Sequence, residues 1–275
     1  MNMSSWRPLH GISRARLAAA RLQAHHATQW LARAARAHIM AWPDDGHTNL
    51  GWDDAFGGLV THAQPDGAML ALRIADLTLV LLSAAGGKPI DTLALAGRRD
   101  AEARDWLGRL AQARGLDAKK LDAALPYELP ARPGDVYTVD AEALAELAAW
   151  FANANAALGP IREKIVARGL VAPPVRCWPH HFDLDTLVTV APGRTSGIGF
   201  APGDDYYDEP YFYVSVYPAP DVAALPPLPA VGHWHTERFT AAVATATRIR
   251  AASDQGGAVE EFLRVAVDAT IKALS

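Results

Sequence analysis

VRCWPHHFDLDTLVTVAPGRTSGIGFAPGDDYYDEPYFYVSVYP, residues 175–218, decides the fold. Phe182, Leu184, Val188 and Val190 recur at even positions, the period at which a strand returns to one face, so His181, Asp183 and Asp185 are read onto the opposite face. Phe212, Val214 and Val216 repeat the pattern and leave Tyr211, Tyr213, Ser215 and Tyr217 on the other side. Farther on, His233 and His235 project together with Trp234 reversed. Strands are therefore expected over Val175–Val190, Gly199–Phe200, Tyr211–Tyr217 and about Val231–Val243. Faces that alternate polar and apolar belong to an antiparallel sheet with one side packed.

Outward from this stretch the signals turn helical. Pro218, Pro220, Pro226, Pro227 and Pro229 mark a rigid loop, and Gln255-Gly256-Gly257 precedes a closing helix over Ala258–Leu274. Upstream, Asp140 caps a helix running to Arg168, the segment PYELPARPG at 126–134 breaks the pattern, and Arg99–Arg114 is a further helix. Short β-like runs at Leu59–His62, Ala68–Ile74, Leu77–Leu82 and Thr92–Leu95 are separated by Pro65-Asp66-Gly67, Ala75-Asp76 and Gly86-Gly87-Lys88, which gives an antiparallel meander over 47–96. An alanine-rich helix over 14–40 opens the chain and stops at Trp42–Gly46. The expected fold is α+β, with antiparallel sheets from about 47–96 and 175–243 packed against helices. Residues 1–275 read as one domain, or as two lobes, 1–125 and 135–275, joined at 126–134.

With 275 residues, half of them apolar and a fifth charged, the chain can bury a substantial core. No apolar run approaches the ~18 residues of a membrane span, so a soluble protein with no membrane partner is expected. The single cysteine, Cys177, excludes an internal disulfide and fits a reducing, cytoplasmic setting. The net charge of −4 conceals an acid-free start with six arginines, and the remainder is distinctly acidic. That start resembles a presequence or a phosphate-binding helix, but an amphipathic helix whose arginines answer the acidic body explains it more simply. Nucleic acid is not an expected partner. Gly86-Gly87-Lys88 is followed by proline, GIGFAPG does not match a dinucleotide fingerprint, and neither a G-x-S-x-G elbow nor an H-E-x-x-H helix occurs. No nucleotide cofactor is expected.

The remaining chemistry gathers on the polar face. His181, His233, His235 and Asp183 are the residue types that ligate a divalent zinc, iron or copper ion, with Tyr211 or Tyr213 as proton donor or orienting group in a metal-dependent enzyme acting on a small polar molecule. Two further readings stand beside it. One is a sheet face whose histidines simply bond to tyrosines and loop carbonyls. The other is a metal-free pocket in which Trp178, Trp234, Asp208 and Glu209 receive a cationic or amine ligand. The run Asp204–Glu209 between two prolines otherwise reads as a solvated loop, and Cys177 as a buried thiol. His25, His26, Gln29 and Trp30 on the first helix, with His47, Asn49, Asp53 and Asp54 after it, are a second tier that packing would equally explain.

The order of motifs, LHG and HHATQW, then CWPHHFDLDTLV, GIGFAPGDDYYDEPYFYVSVYPAP and GHWHTERFTAAV, resembles an uncharacterised bacterial family of unknown function, DUF5996. Its specific parts here are Phe182-Asp183-Leu184 and Asp208-Glu209-Pro210 through Phe212-Tyr213. The resemblance implies an architecture and no activity. Many relatives lack histidines at positions matching His180, His181, His233 and His235, so the resemblance implies that Asp183, Asp208, Glu209, Pro210 and Tyr213 are the shared elements, which could equally maintain the fold.

Overall fold

A computed structural model describes residues 6–84 and 87–275; Gly86 of the Gly86-Gly87-Lys88 turn lies outside the described residues. The chain forms two compact units that interleave in sequence. Ile12–Ala148 with Cys177–Phe182 make one, and Met1–Gly11, Ala149–Arg176 and Asp183–Ser275 make the other. The passage between them does not fall at 126–134. That segment is fastened within the first unit: Tyr127 Oη donates to Gln29 Oε1 at 2.9 Å, and Arg132 pairs with Asp100 at 2.9 Å while its guanidinium lies over the Tyr137 ring.

In the first unit, helix α1 (Arg14–His38) starts at Ser13, whose hydroxyl accepts from the Arg16 amide. Leu17, Ala20, Ala24, Ala27 and Leu31 recur at three- and four-residue spacing and are buried. Two of its arginines answer acids: Arg16 holds Asp140 and Glu142, and Arg36 holds Asp45, while Arg33 donates to the Leu121 and Ala123 carbonyls. Strands β1 (Gly51–Asp53), β2 (Gly58–Val60), β3 (Met69–Arg73), β4 (Thr78–Leu82) and β5 (Pro89–Ala94) form the expected antiparallel meander in sequential order. Helix α2 (Asp100–Ala113) follows, and α1 packs on both β3 and α2.

Helix α3 (Ala141–Ala167) begins in the first unit, where the Asp140 carboxylate caps the Ala143 amide, and continues in the second. Six strands follow: β6 (Arg176–Trp178), β7 (Asp183–Ala191), β8 (Arg194–Ala201), β9 (Tyr211–Ser215), β10 (Gly232–His235) and β11 (Ala241–Thr245). They assemble in the order β10-β11-β9-β8-β7-β6. Two helices close the chain, α4 (Ala246–Ala251) and α5 (Gln255–Leu274). The architecture is α+β, with two antiparallel sheets and five helices among the described residues.

The second unit's main core lies on one side of the larger sheet. Leu184, Val188, Ile198, Phe200, Phe212 and Val214 are completely buried there, as period-two alternation requires. Trp150 and Phe151 of α3 close on Phe200, the first stacked at 5.9 Å and the second edge-on at 5.5 Å. Helix α5 packs on β7, β8, β9 and β11. Gly232 is required by that packing, because a Cβ there would stand 2.7 Å from the Phe262 ring. No described helix is long and apolar enough to cross a membrane.

One expectation from alternation fails. His180 and His181 are not in a strand: the chain turns over residues 179–182, with Phe182 in the left-handed region at φ 59, and β7 starts only at Asp183. Pro179 opens the turn, and Phe182 stacks on His25 at 5.3 Å instead of joining the strand's apolar row. His181 therefore does not share a strand face with Asp183 and Asp185.

Candidate functional site

The side of the second unit's sheet turned away from α5 is built from paired registers, and Tyr211, Ala241 and Val243 are buried there with Tyr207, Tyr213 and Phe239 packed against them. Asp185 lies opposite Gly199, Gly199 opposite Tyr213, Tyr213 opposite Val243, and Val243 opposite His233, so one lateral row runs from a carboxylate to an imidazole across five strands. The neighbouring row places Ser215 beside Ala241 and Ala241 beside His235. Small residues in the middle of these rows decide what the face can hold. A Cβ on Gly199 would meet the Tyr213 Cζ and Oη at 2.6 Å, and one on Gly197 would meet the Ser215 hydroxyl at 2.8 Å. The Tyr213 ring thus lies flat over β8, where glycine leaves room, and its hydroxyl reaches across to donate to Asp183 Oδ2 at 2.8 Å.

Asp183 is half-buried, and its second oxygen, Oδ1, is shut off from solvent with no hydrogen-bond partner. Burial pushes its carboxyl up to about 6, with the Asp204 charge adding to the rise and the Tyr213 hydrogen bond opposing it. Tyr213 is raised well above the usual phenol range by the same burial and by the facing Asp183 and Asp185 carboxylates. No cation of the described residues contributes to holding the Asp183 charge.

The GDDYYDEP loop supplies the next layer. Asp204 Oδ1 accepts from the Tyr206 and Tyr207 amides at 2.8 and 3.1 Å, and Oδ2 accepts from Tyr211 Oη, which fixes the loop over β9. Rings then follow one another: Tyr213 to Tyr211 at 6.0 Å, Tyr211 to Tyr207 at 4.9 Å, and Tyr207 to His233 and His235 at 6.0 and 5.7 Å. Tyr207 Oη lies 3.0 Å from both His233 Nε2 and His235 Nδ1. The two histidines do converge, as strand alternation requires, but on a phenol.

Other expected site residues go elsewhere. Trp234 lies on the helix-packed side, in register with Ala242 and through it Val214, and its indole donates to the Pro226 carbonyl at 2.8 Å. Trp178 belongs to the first unit, where it packs edge-on to His180 at 6.0 Å. Glu209 is buried, and its Oε2 accepts from both the amide and the hydroxyl of Thr247, at 2.7 and 2.6 Å, while the Pro210 carbonyl accepts from the Ala246 amide. It caps α4 and is not open to a ligand; Asp208 is exposed beside it. Glu209→Ala is accordingly expected to cost about 1–3 kcal/mol of stability, with Glu209→Gln costing less, as read by calorimetric unfolding.

The four ligands expected for a metal, His181, Asp183, His233 and His235, are not assembled. Among the described residues no group of three or more His, Cys, Asp or Glu side chains is placed to hold an ion. His181 sits in the turn of residues 179–182, which the first unit holds. His25 Nε2 and Gln29 Nε2 both donate to the Pro179 carbonyl, at 2.8 and 2.7 Å, and burial lowers the His25 imidazole to about 4. Trp30 donates to Tyr137 Oη, which donates to Asp100, and Asn49 meets His62. The second-tier residues of α1 are thus engaged in packing, and Cys177 is a buried thiol outside any disulfide. What sequence reasoning missed is Tyr207, a loop residue without strand periodicity. The Asp204-x-x-Tyr207 turn spacing was the signal that it is held in place.

Residues 192–274 match the model of a family of unknown function, DUF5996. The match covers β8 to β11 and both closing helices, including the GDDYYDEP loop and both site histidines, while Asp183 lies outside it. No curated protein and no solved structure matches the chain.

Proposed function

We propose that the Asp183 end of this face of the second unit's sheet binds a small molecule bearing a cationic N–H donor, an amine or guanidinium, with Asp183 as its acceptor. The observation that carries this reading is Asp183 Oδ1: a solvent-shielded carboxylate oxygen with no partner, beside a hydroxyl that already occupies Oδ2. An unmet buried acceptor costs about 1–3 kcal/mol, and a ligand N–H removes that cost on binding. The surroundings favour positive charge. Asp185 and Asp204 add negative potential, and the Tyr213 and Tyr211 rings offer π-faces. A metal-dependent enzyme built on the four expected ligands lacks their convergence, so binding is the reading the geometry supports.

The test uses the full chain with a chelator present. Putrescine and agmatine are titrated against 1,4-butanediol and succinate, read by thermal shift and calorimetry. Saturable binding of the amines, lost in Asp183→Asn and weakened in Tyr213→Phe, is the expected result. Preference for succinate, or amine binding untouched in Asp183→Asn, contradicts it.

A further inference from the structure

At the opposite end of the same face, Tyr207, His233 and His235 bring three donor atoms together with no carboxylate among them. His235 Nε2 lies 2.7 Å from the Glu237 carbonyl, which can only accept, so that nitrogen carries the ring proton and Nδ1 presents its lone pair to Tyr207. Tyr207 has one hydroxyl proton to give to the two imidazoles, and His233 Nε2 faces the same oxygen at 3.0 Å. An imidazole whose second nitrogen is fixed on a backbone carbonyl is the arrangement metal-ligating histidines adopt.

Distances narrow the ion. Atoms about 2.0–2.1 Å from a common metal stand roughly 2.8–3.0 Å apart across a right angle and about 3.3–3.4 Å apart across a tetrahedral one. The two separations here, hydrogen bonds in the metal-free cluster, are both 3.0 Å, which fits the right-angled case. Right-angled nitrogen and oxygen donors suit a tetragonal ion. The supports are rigid: both histidines lie on β10, paired in register with β11, and Tyr207 is clamped by Asp204 at its amide and its carbonyl. All three side chains are half-buried, which leaves the cluster accessible.

We infer that Tyr207, His233 and His235 form a copper(II) site, with phenolate oxygen, His233 Nε2 and His235 Nδ1 as the protein ligands and water completing the coordination. On binding, the Tyr207 hydroxyl proton leaves to solvent, both imidazoles stay neutral with the nitrogen facing the ion presenting its lone pair, and His235 keeps its proton on Glu237. One proton is released per ion and no electron is transferred. The site does not depend on the amine reading, whose test is run with chelator present, so the two fail separately.

The experiment is titration of the metal-free full-length protein with copper(II) chloride, followed by visible absorption and electron paramagnetic resonance. One saturable equivalent is expected, with nitrogen hyperfine structure and a phenolate-to-copper charge-transfer band. Tyr207→Phe should abolish the band, and the His233→Asn/His235→Asn double variant should weaken binding at least tenfold, each with its far-ultraviolet circular dichroism unchanged. Absence of a saturable equivalent, a band that persists in Tyr207→Phe, or undiminished affinity in the double variant would each overturn the assignment. Should the double variant not fold, the Tyr207→Phe band alone decides.

Discussion

Phe200→Ala should cost roughly 3–5 kcal/mol of stability, the largest effect expected from any single truncation in the second unit. Phe200 has no solvent exposure and meets three aromatic rings: Trp150 at 5.9 Å, Phe151 at 5.5 Å and Phe212 at 5.3 Å. Removing it takes away the burial of the ring and leaves a cavity bounded by large, stiff neighbours on α3 and β9, which cannot collapse to fill it. Urea unfolding followed by circular dichroism reads the loss, with each transition fitted separately because a chain of two units need not unfold in one step. A loss under about 1 kcal/mol would mean that Phe200 does not face the core. Since strand alternation puts Phe200 opposite Tyr213 and Asp183, amine affinity of the folded fraction should stay at its wild-type value.

That separation of faces was legible in the sequence wherever side chains carry the period. Leu184 and Val188 against Asp183 and Asp185, and Phe212 and Val214 against Tyr211 and Tyr213, alternate as the folded sheet does. The meander over 47–96 was legible for a different reason, since glycine, proline and aspartate punctuate it at every turn. Strand β8 was seen only at Gly199–Phe200 although it spans Arg194–Ala201. Two of its positions are glycines and carry no hydropathy, and the ring that needs their space comes from another strand. Helix α4 is six residues, too short for a helical period, and is held by Glu209 and Pro210 from 36 or more positions earlier in the chain.

The site was legible in part, and its errors have physical causes. Extending the β7 period backwards placed His181 on the strand, but Pro179 starts a turn and Phe182 takes a left-handed conformation, which breaks the alternation. The His233-x-His235 pair converges because same-face neighbours on a strand must, yet the partner is a loop tyrosine that no periodicity locates. Burial of Glu209 was hidden for the reason that hid α4: a run of acids in a loop has the same composition whether its members are solvated or are capping a helix.

Asp183→Asn should change how stability depends on pH and, at the same time, remove amine binding. In the folded protein burial holds this carboxyl at about 6, against 3.8 for an ordinary aspartate. A raised value means the folded state favours the protonated form. Its contribution is complete below about pH 4 and is lost as the pH rises through 6. The corresponding cost at pH 8 is roughly 3 kcal/mol. Asparagine cannot ionise, so the stability of Asp183→Asn relative to wild type should grow by roughly 2 kcal/mol between pH 4 and pH 8. His25 and His180, both lowered to about 4 by burial, act in the opposite direction, since their neutral forms are the folded ones. They are present in both proteins and cancel in the difference. A difference that stays flat across this range would show that Asp183 ionises as if solvated, and would remove the unmet acceptor on which the binding reading stands. Saturating putrescine should flatten it too, because a bound cation lowers the carboxyl towards its ordinary value in the wild type alone. A carboxylate that weakens the empty fold at neutral pH and is relieved by a cation is explained by binding, whereas a purely structural aspartate would destabilise the protein when replaced.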